Sequence, residues 1–66
     1  MTGVVRKFDA QKGFGFITGD SDQKSYFVHQ TDIDMPGFRV LYPGDSVEFD
    51  IAETERGMKA VRVKVI

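Results

Sequence analysis

Five short stretches in which apolar and polar residues alternate, each closed by a cluster of turn-forming residues, dominate this 66-residue chain. Alternation at period two puts successive side chains on opposite faces of a strand, one buried and one wet. The stretches cover residues 3–8, 14–18, 25–29, 46–52 and 58–66. Residues 9–13 read as a turn in which Gly13 supplies a permissive backbone, residues 19–24 as a polar loop, and residues 53–57 as a second turn. Residues 30–44 are the irregular part. There, Thr31 is placed to cap one helical turn through Ile33, Pro36-Gly37 breaks it, and Pro43-Gly44-Asp45 turns the chain into the fourth stretch. Five short strands at this spacing, with no helical period, predict an all-β domain. Closure into a barrel is the arrangement that leaves no exposed edge. Residues 1–66 contain no repeat, linker or low-complexity tract and read as a single domain.

The alternation assigns faces. Val5, Phe8, Ile17, Tyr26, Val28, Ile33, Val47, Phe49, Ile51, Val61 and Val63 are the expected core, with Lys7 outward on the first strand. Phe38, Leu41 and Tyr42 give the long loop apolar anchors. In Lys12-Gly13-Phe14-Gly15-Phe16-Ile17, Phe14 and Phe16 share a face, and Ile17 takes the other. Ile17 is the natural core residue, so the two rings point outward, with glycines on both sides of Phe14. Tyr26-Phe27-Val28-His29 repeats the pattern, with Phe27 and His29 outward. A chain this short has little apolar surface to spare, so three exposed phenylalanines imply a ligand. Flat rings beside Lys12 and His29 suit the bases and phosphates of a single-stranded nucleic acid.

Net charge is −1, which alone argues against a polyanion as partner. Its distribution is uneven. Residues 1–18 set Arg6, Lys7 and Lys12 against Asp9. Residues 19–55 set Lys24 and Arg39 against nine acids, and residues 56–66 carry Arg56, Lys59, Arg62 and Lys64 with no acid. If the two basic ends meet beside the rings, the molecule has one usable positive pole, and binding rests more on stacking than on bulk charge. The chain has no cysteine, which removes disulfides and thiolate metal sites and fits a reducing cytoplasm. No apolar run reaches membrane-spanning length, and Met1-Thr2-Gly3 enters a strand without a signal-peptide pattern. Enzymatic readings fail on inventory. Gly13-Phe14-Gly15 lacks the third glycine of a dinucleotide loop, and one histidine without cysteine builds no ordinary zinc site. Ser21, Ser25 and Ser46 have only His29 as a possible base. Neither a cofactor nor a metal is expected.

Lys12-Gly13-Phe14-Gly15-Phe16-Ile17 and Phe27-Val28-His29 resemble the two ribonucleoprotein-type motifs of the bacterial cold-shock protein family. The likeness extends over Gly37-Phe38, Pro43-Gly44-Asp45-Ser46-Val47 and Arg56-Gly57, essentially the whole chain. The resemblance implies a five-stranded antiparallel barrel of the oligonucleotide-binding (OB) type. Its implied activity is binding of single-stranded DNA and RNA, as an RNA chaperone that melts or prevents secondary structure or as a modulator of transcription or translation. The base-stacking residues would be Phe14, Phe16, Phe27, His29 and Phe38. Arg6, Lys12 and Arg56 would follow the phosphate path, and Lys59 lies on the same basic stretch as Arg56.

Two positions depart from the family pattern. Lys7 stands where an exposed tryptophan is usual, and Gln30 where a phenylalanine often follows the motif histidine. Each lost ring removes up to about 1–3 kcal/mol of stacking per base. Lys7 can return part of it through a phosphate, and Gln30 through a base edge. The expectation is weaker binding than in a typical member, a shorter stacked stretch and greater sensitivity to salt. A barrel that has lost nucleic-acid binding and serves protein interaction is the competing reading, motivated by Lys7, Gln30 and the acidic middle. A monomer is expected, with residues 30–44 as a possible hinge for strand exchange into a domain-swapped dimer.

Overall fold

A computed structural model describes residues 1–37 and 39–66. The strands are β1 (Thr2–Asp9), β2 (Phe14–Gly19), β3 (Ser25–His29), β4 (Ser46–Thr54) and β5 (Gly57–Val65), with one 3-10 turn over Gln30–Asp32 after β3. They hydrogen-bond in a closed ring in the order β1-β2-β3-β5-β4. The all-β barrel expected from the sequence is thus present, with one correction. Four seams are antiparallel, but β3 and β5 run parallel. An odd number of strands cannot alternate direction all the way round a ring, so one parallel seam is obligatory. That seam is short: Phe27 pairs with Lys59, a bridge joins Ile33 to Val63, and the Asp34 N–H donates to the Val63 carbonyl at 2.7 Å.

Local chemistry fixes each turn. The Asp9 carboxylate accepts the N–H groups of Gln11 and Lys12 at 3.0 and 3.1 Å, and Gly13 completes the β1–β2 turn at φ 75°. In the β4–β5 hairpin, Thr54 Oγ1 donates to the Gly57 carbonyl at 2.6 Å and accepts the Arg56 N–H at 3.2 Å. Before β4, Tyr42 donates its N–H to the Asp45 carboxylate at 3.0 Å. The helical turn starts two residues earlier than expected. His29, not Thr31, is its N-cap, with Nδ1 accepting the Thr31 N–H at 3.3 Å.

The core consists of Val5, Ile17, Tyr26, Val28, Ile33, Leu41, Val47, Phe49, Ala60 and Val63, with Phe8 and Met35 packed on it. Two expected members are outside this set. Ile51 is 39% exposed and Val61 only half-buried. The pairings Glu48↔Lys64 and Asp50↔Val61 leave Arg62 and Val63 together opposite Phe49, so β5 bulges. Arg62 takes the extra place at φ 49°, and beyond it Ala60 points inward in place of Val61. Ile51 fails for another reason. β1 pairs with β4 only over Ser46–Glu48, with Met1 bonding Phe49 just beyond, so, among the described residues, 50–54 pair with β5 and with no strand on their other side.

Candidate nucleic-acid interface

β2 and β3 pair in the register Phe14↔His29, Gly15↔Val28, Phe16↔Phe27 and Ile17↔Tyr26. Directly opposed residues share a face. Ile17, Tyr26 and Val28 are therefore inside, and Phe14, Phe16, Phe27 and His29 are together on the outer face. Phe27 is the hinge of the set. Its centroid lies 5.7 Å from that of Phe14 with an interplanar angle of 27°, and 5.9 Å from that of Phe16 at 72°. Offset-stacked and edge-to-face contacts are the favourable geometries for aromatic pairs, so the three rings hold one another upright. Phe16 and Phe27 are each 37% exposed, while Phe14 and His29 are half-buried.

The neighbouring strand brings in charge. β1 carries a bulge between Val5↔Ile17 and Lys7↔Phe16, with Arg6 as the extra residue. The bulge lets Val5 and Phe8, three apart, both turn toward the core while Lys7 stands exposed opposite Phe16. Such close pairing requires glycine at position 15. A Cβ there would lie 2.7 Å from Phe8 Cα and 2.9 Å from its ring. Lys12 projects from the β1–β2 turn two residues before Phe14. Beneath it, Gln30 closes the end of the face: its N–H donates to the Gly13 carbonyl at 2.7 Å, and its side chain lies over Gly13.

The β4–β5 hairpin forms the far wall. Phe16, Phe27, Thr54, Arg56, Met58 and Lys59 line a cleft of about 390 Å³, more apolar than polar in its lining. Arg56 and Lys59 thus reach the same face as the rings. Thr54 and Met58, also in the lining, are not marked by any motif in the sequence. The unbroken alternation of Val61, Val63 and Val65 puts Met58 in the opposite phase to the one it adopts, because the bulge at Arg62 is silent in the sequence.

The two basic ends are not equally available. Lys59 pairs with Asp32 at 3.3 Å, Arg62 with Asp50 at 2.7 Å and Lys64 with Asp34 at 3.5 Å. The Arg62 guanidinium, chiefly by its hydrogen bond, holds the Asp50 carboxyl below its ordinary range. Among the described residues, Arg6, Lys7, Lys12 and Arg56 have no carboxylate partner. The positive pole thus consists mainly of these four side chains, all exposed; Arg62 and Lys64 are engaged elsewhere. His29 Nδ1 faces the Thr31 hydroxyl at 2.9 Å as well as its N–H, which fixes the ring edge. Phe38, expected as a fifth stacking residue, lies outside the described residues. No group of three or more His, Asp or Glu side chains among the described residues is arranged to hold a metal ion. No helix among them is long and apolar enough to cross a membrane.

The family model described as the 'Cold-shock' DNA-binding domain matches residues 1–66. A cold shock-like protein of Thermotoga maritima is 47% identical over 66 residues, covering 100% of this chain and 98% of its own length. A cold shock-like protein of Aquifex aeolicus is 45% identical over 64 residues, covering 97% and 91%. The cold shock-like protein CspG of Escherichia coli is 49% identical over 63 residues, covering 96% and 90%.

Proposed function

The chain belongs to the cold-shock domain family, and from that premise we propose that it binds single-stranded DNA and RNA with little sequence preference. In the cell it would act as an RNA chaperone of the cold-shock type, keeping strands from folding back on themselves. The observation that carries this reading is the mutually braced set Phe14, Phe16 and Phe27 on an exposed face, with Lys7 paired across from Phe16. Every base has a flat face, so rings at this spacing accept successive bases whatever their identity. Arg6, Lys7, Lys12 and Arg56 edge the platform and serve the phosphates; Gln30 and Lys59 offer polar contacts at its two ends. Stacking between rings needs bases that are unpaired and splayed, which a duplex withholds.

The departures at Lys7 and Gln30 give binding weaker than in a typical member and more dependent on salt, since a phosphate contact replaces a stacked ring. Fluorescence anisotropy of a labelled pyrimidine-rich oligonucleotide, as DNA and as RNA, tests the reading at low and moderate salt. Saturable binding to both, weakened as salt rises, is the expected result. A flat titration at high protein concentration would overturn it in favour of a protein-interaction module built on the same barrel.

A further inference from the structure

The cleft beside the rings has an apolar wall that neither aromatic motif supplies. Met58 enters the hairpin directly after its turn, pairs with Glu53 across β4, and lines the cleft together with Phe16 and Phe27. It is 51% exposed, although it is a large apolar side chain. The remaining lining consists of Thr54 and the two cations Arg56 and Lys59. A space of about 390 Å³ between two phenylalanines and a thioether, with cations at its rim, fits a base together with its phosphate. A polarizable sulfur is a favourable neighbour for an aromatic ring.

Building on the single-strand reading, we infer that Met58 is an oxidation-sensitive element of the ligand face, so that conversion of its thioether to the sulfoxide weakens nucleic-acid binding. The step is a two-electron oxidation by a peroxide. The sulfur lone pair attacks one peroxide oxygen, the O–O bond breaks, an S–O bond forms and water leaves. Methionine sulfoxide reductases of the two types, one for each sulfoxide epimer, reverse it with a thiol reductant. Two consequences follow from the lining. The sulfoxide oxygen is a strong acceptor that a stacked base would cover without offering a donor. It also competes with a phosphate for the Arg56 and Lys59 donors beside it. Among the three methionines, Met58 alone lines this cleft: Met35 packs on the core, and Met1 bonds through its amino group to the Phe49 carbonyl.

The test begins with anisotropy titration of untreated protein with a labelled oligothymidine. Absence of binding at this stage refutes the single-strand reading, and with it the site. Protein treated with hydrogen peroxide, with the sulfoxide at position 58 verified by peptide mass spectrometry, is then titrated alongside Met58→Leu given the same treatment. The expected result is a loss of affinity of about tenfold in the oxidised native chain, reversed by the two reductases together and absent when treated M58L is compared with untreated M58L. Met58→Gln, a polar side chain of similar length, should bind as weakly as the oxidised protein without any peroxide. Unchanged affinity with the sulfoxide at position 58, or an equal loss in treated M58L, would overturn the inference and leave the single-strand reading standing.

Discussion

Phe27 touches both of its aromatic neighbours, so removing it takes away a stacking surface and leaves Phe14 and Phe16 without a brace. Phe27→Ala and Phe16→Ala should each weaken single-strand binding by about 1–3 kcal/mol. Neither ring belongs to the core, so thermal unfolding should show a barrel that remains folded. Loss of folding in these variants would mean that the rings are structural. The outward orientation of these side chains was readable from the sequence, because Ile17 can go only inward and the period of two then sets Phe14 and Phe16 opposite. Position 38 is carried by the family resemblance alone.

Tyr26 shows a residue-scale device of another kind. Its ring packs in the core 5.5 Å from that of Phe49, and its hydroxyl donates to the Asp22 carboxylate. That bond, with the Lys24 N–H as a second donor, holds the Asp22 carboxyl below its ordinary range and pushes the Tyr26 phenol up. A carboxyl depressed in the folded state stabilises the fold above its unfolded value, near pH 4, and the contribution is lost as pH falls through the lower folded value. Tyr26→Phe should therefore lower the urea midpoint at neutral pH, and the gap to the native chain should close in acid. A gap unchanged at pH 2 would contradict the assignment. The phenol contributes with the opposite sign, its share being lost only in strong alkali.

At the scale of elements, bulges separate what alternation reveals from what it hides. The bulge at Arg6 leaves a trace, since Val5 and Phe8 are three apart and only an extra residue lets both turn inward. The bulge at Arg62 leaves none. Val61, Val63 and Val65 alternate without a break, yet Ala60 takes the interior place expected of Val61. The extra residue there is polar and exposed, so it disturbs no apolar pattern, and Met58 is misphased with it. Arg62 pays for the bulge with a left-handed backbone. Arg62→Val, a substitution that favours strands elsewhere, should cost about 1–2 kcal/mol in chemical denaturation because a β-branched side chain tolerates that conformation poorly. A neutral outcome would mean that the strand pairs without the bulge.

For the whole molecule, closure and charge decide what the platform can do. Five strands close with one short parallel seam, and that closure sets the β4–β5 hairpin beside β2 and β3, completing the cleft. The number of strands was legible from turn spacing; the parallel seam follows from parity once the ring is closed. The charge pattern was half legible. The basic run of residues 56–66 was visible, but its neutralisation by Asp32, Asp34 and Asp50 depends on contacts between distant segments. Lys7 stands opposite Phe16 and Arg56 lines the cleft, neither paired with a carboxylate among the described residues, so on the proposed reading phosphate contacts would carry part of the affinity. Lys7→Trp should exchange one such contact for a stacked base, raising affinity by about 1–3 kcal/mol and reducing the salt slope by about one. An unchanged slope would remove Lys7 from the phosphate path.

On the proposed reading a single strand lies on the face shared by β1, β2 and β3, walled by the β4–β5 hairpin. Amide and side-chain shift mapping by NMR during titration with oligothymidine tests it most directly. Perturbations should concentrate at Lys7, Lys12, Phe14, Phe16, Phe27, His29, Arg56 and Met58, with the groove lined by Asp34, Arg39 and Arg62 unaffected. Perturbations gathered in that groove, with the phenylalanine rings silent, would contradict it.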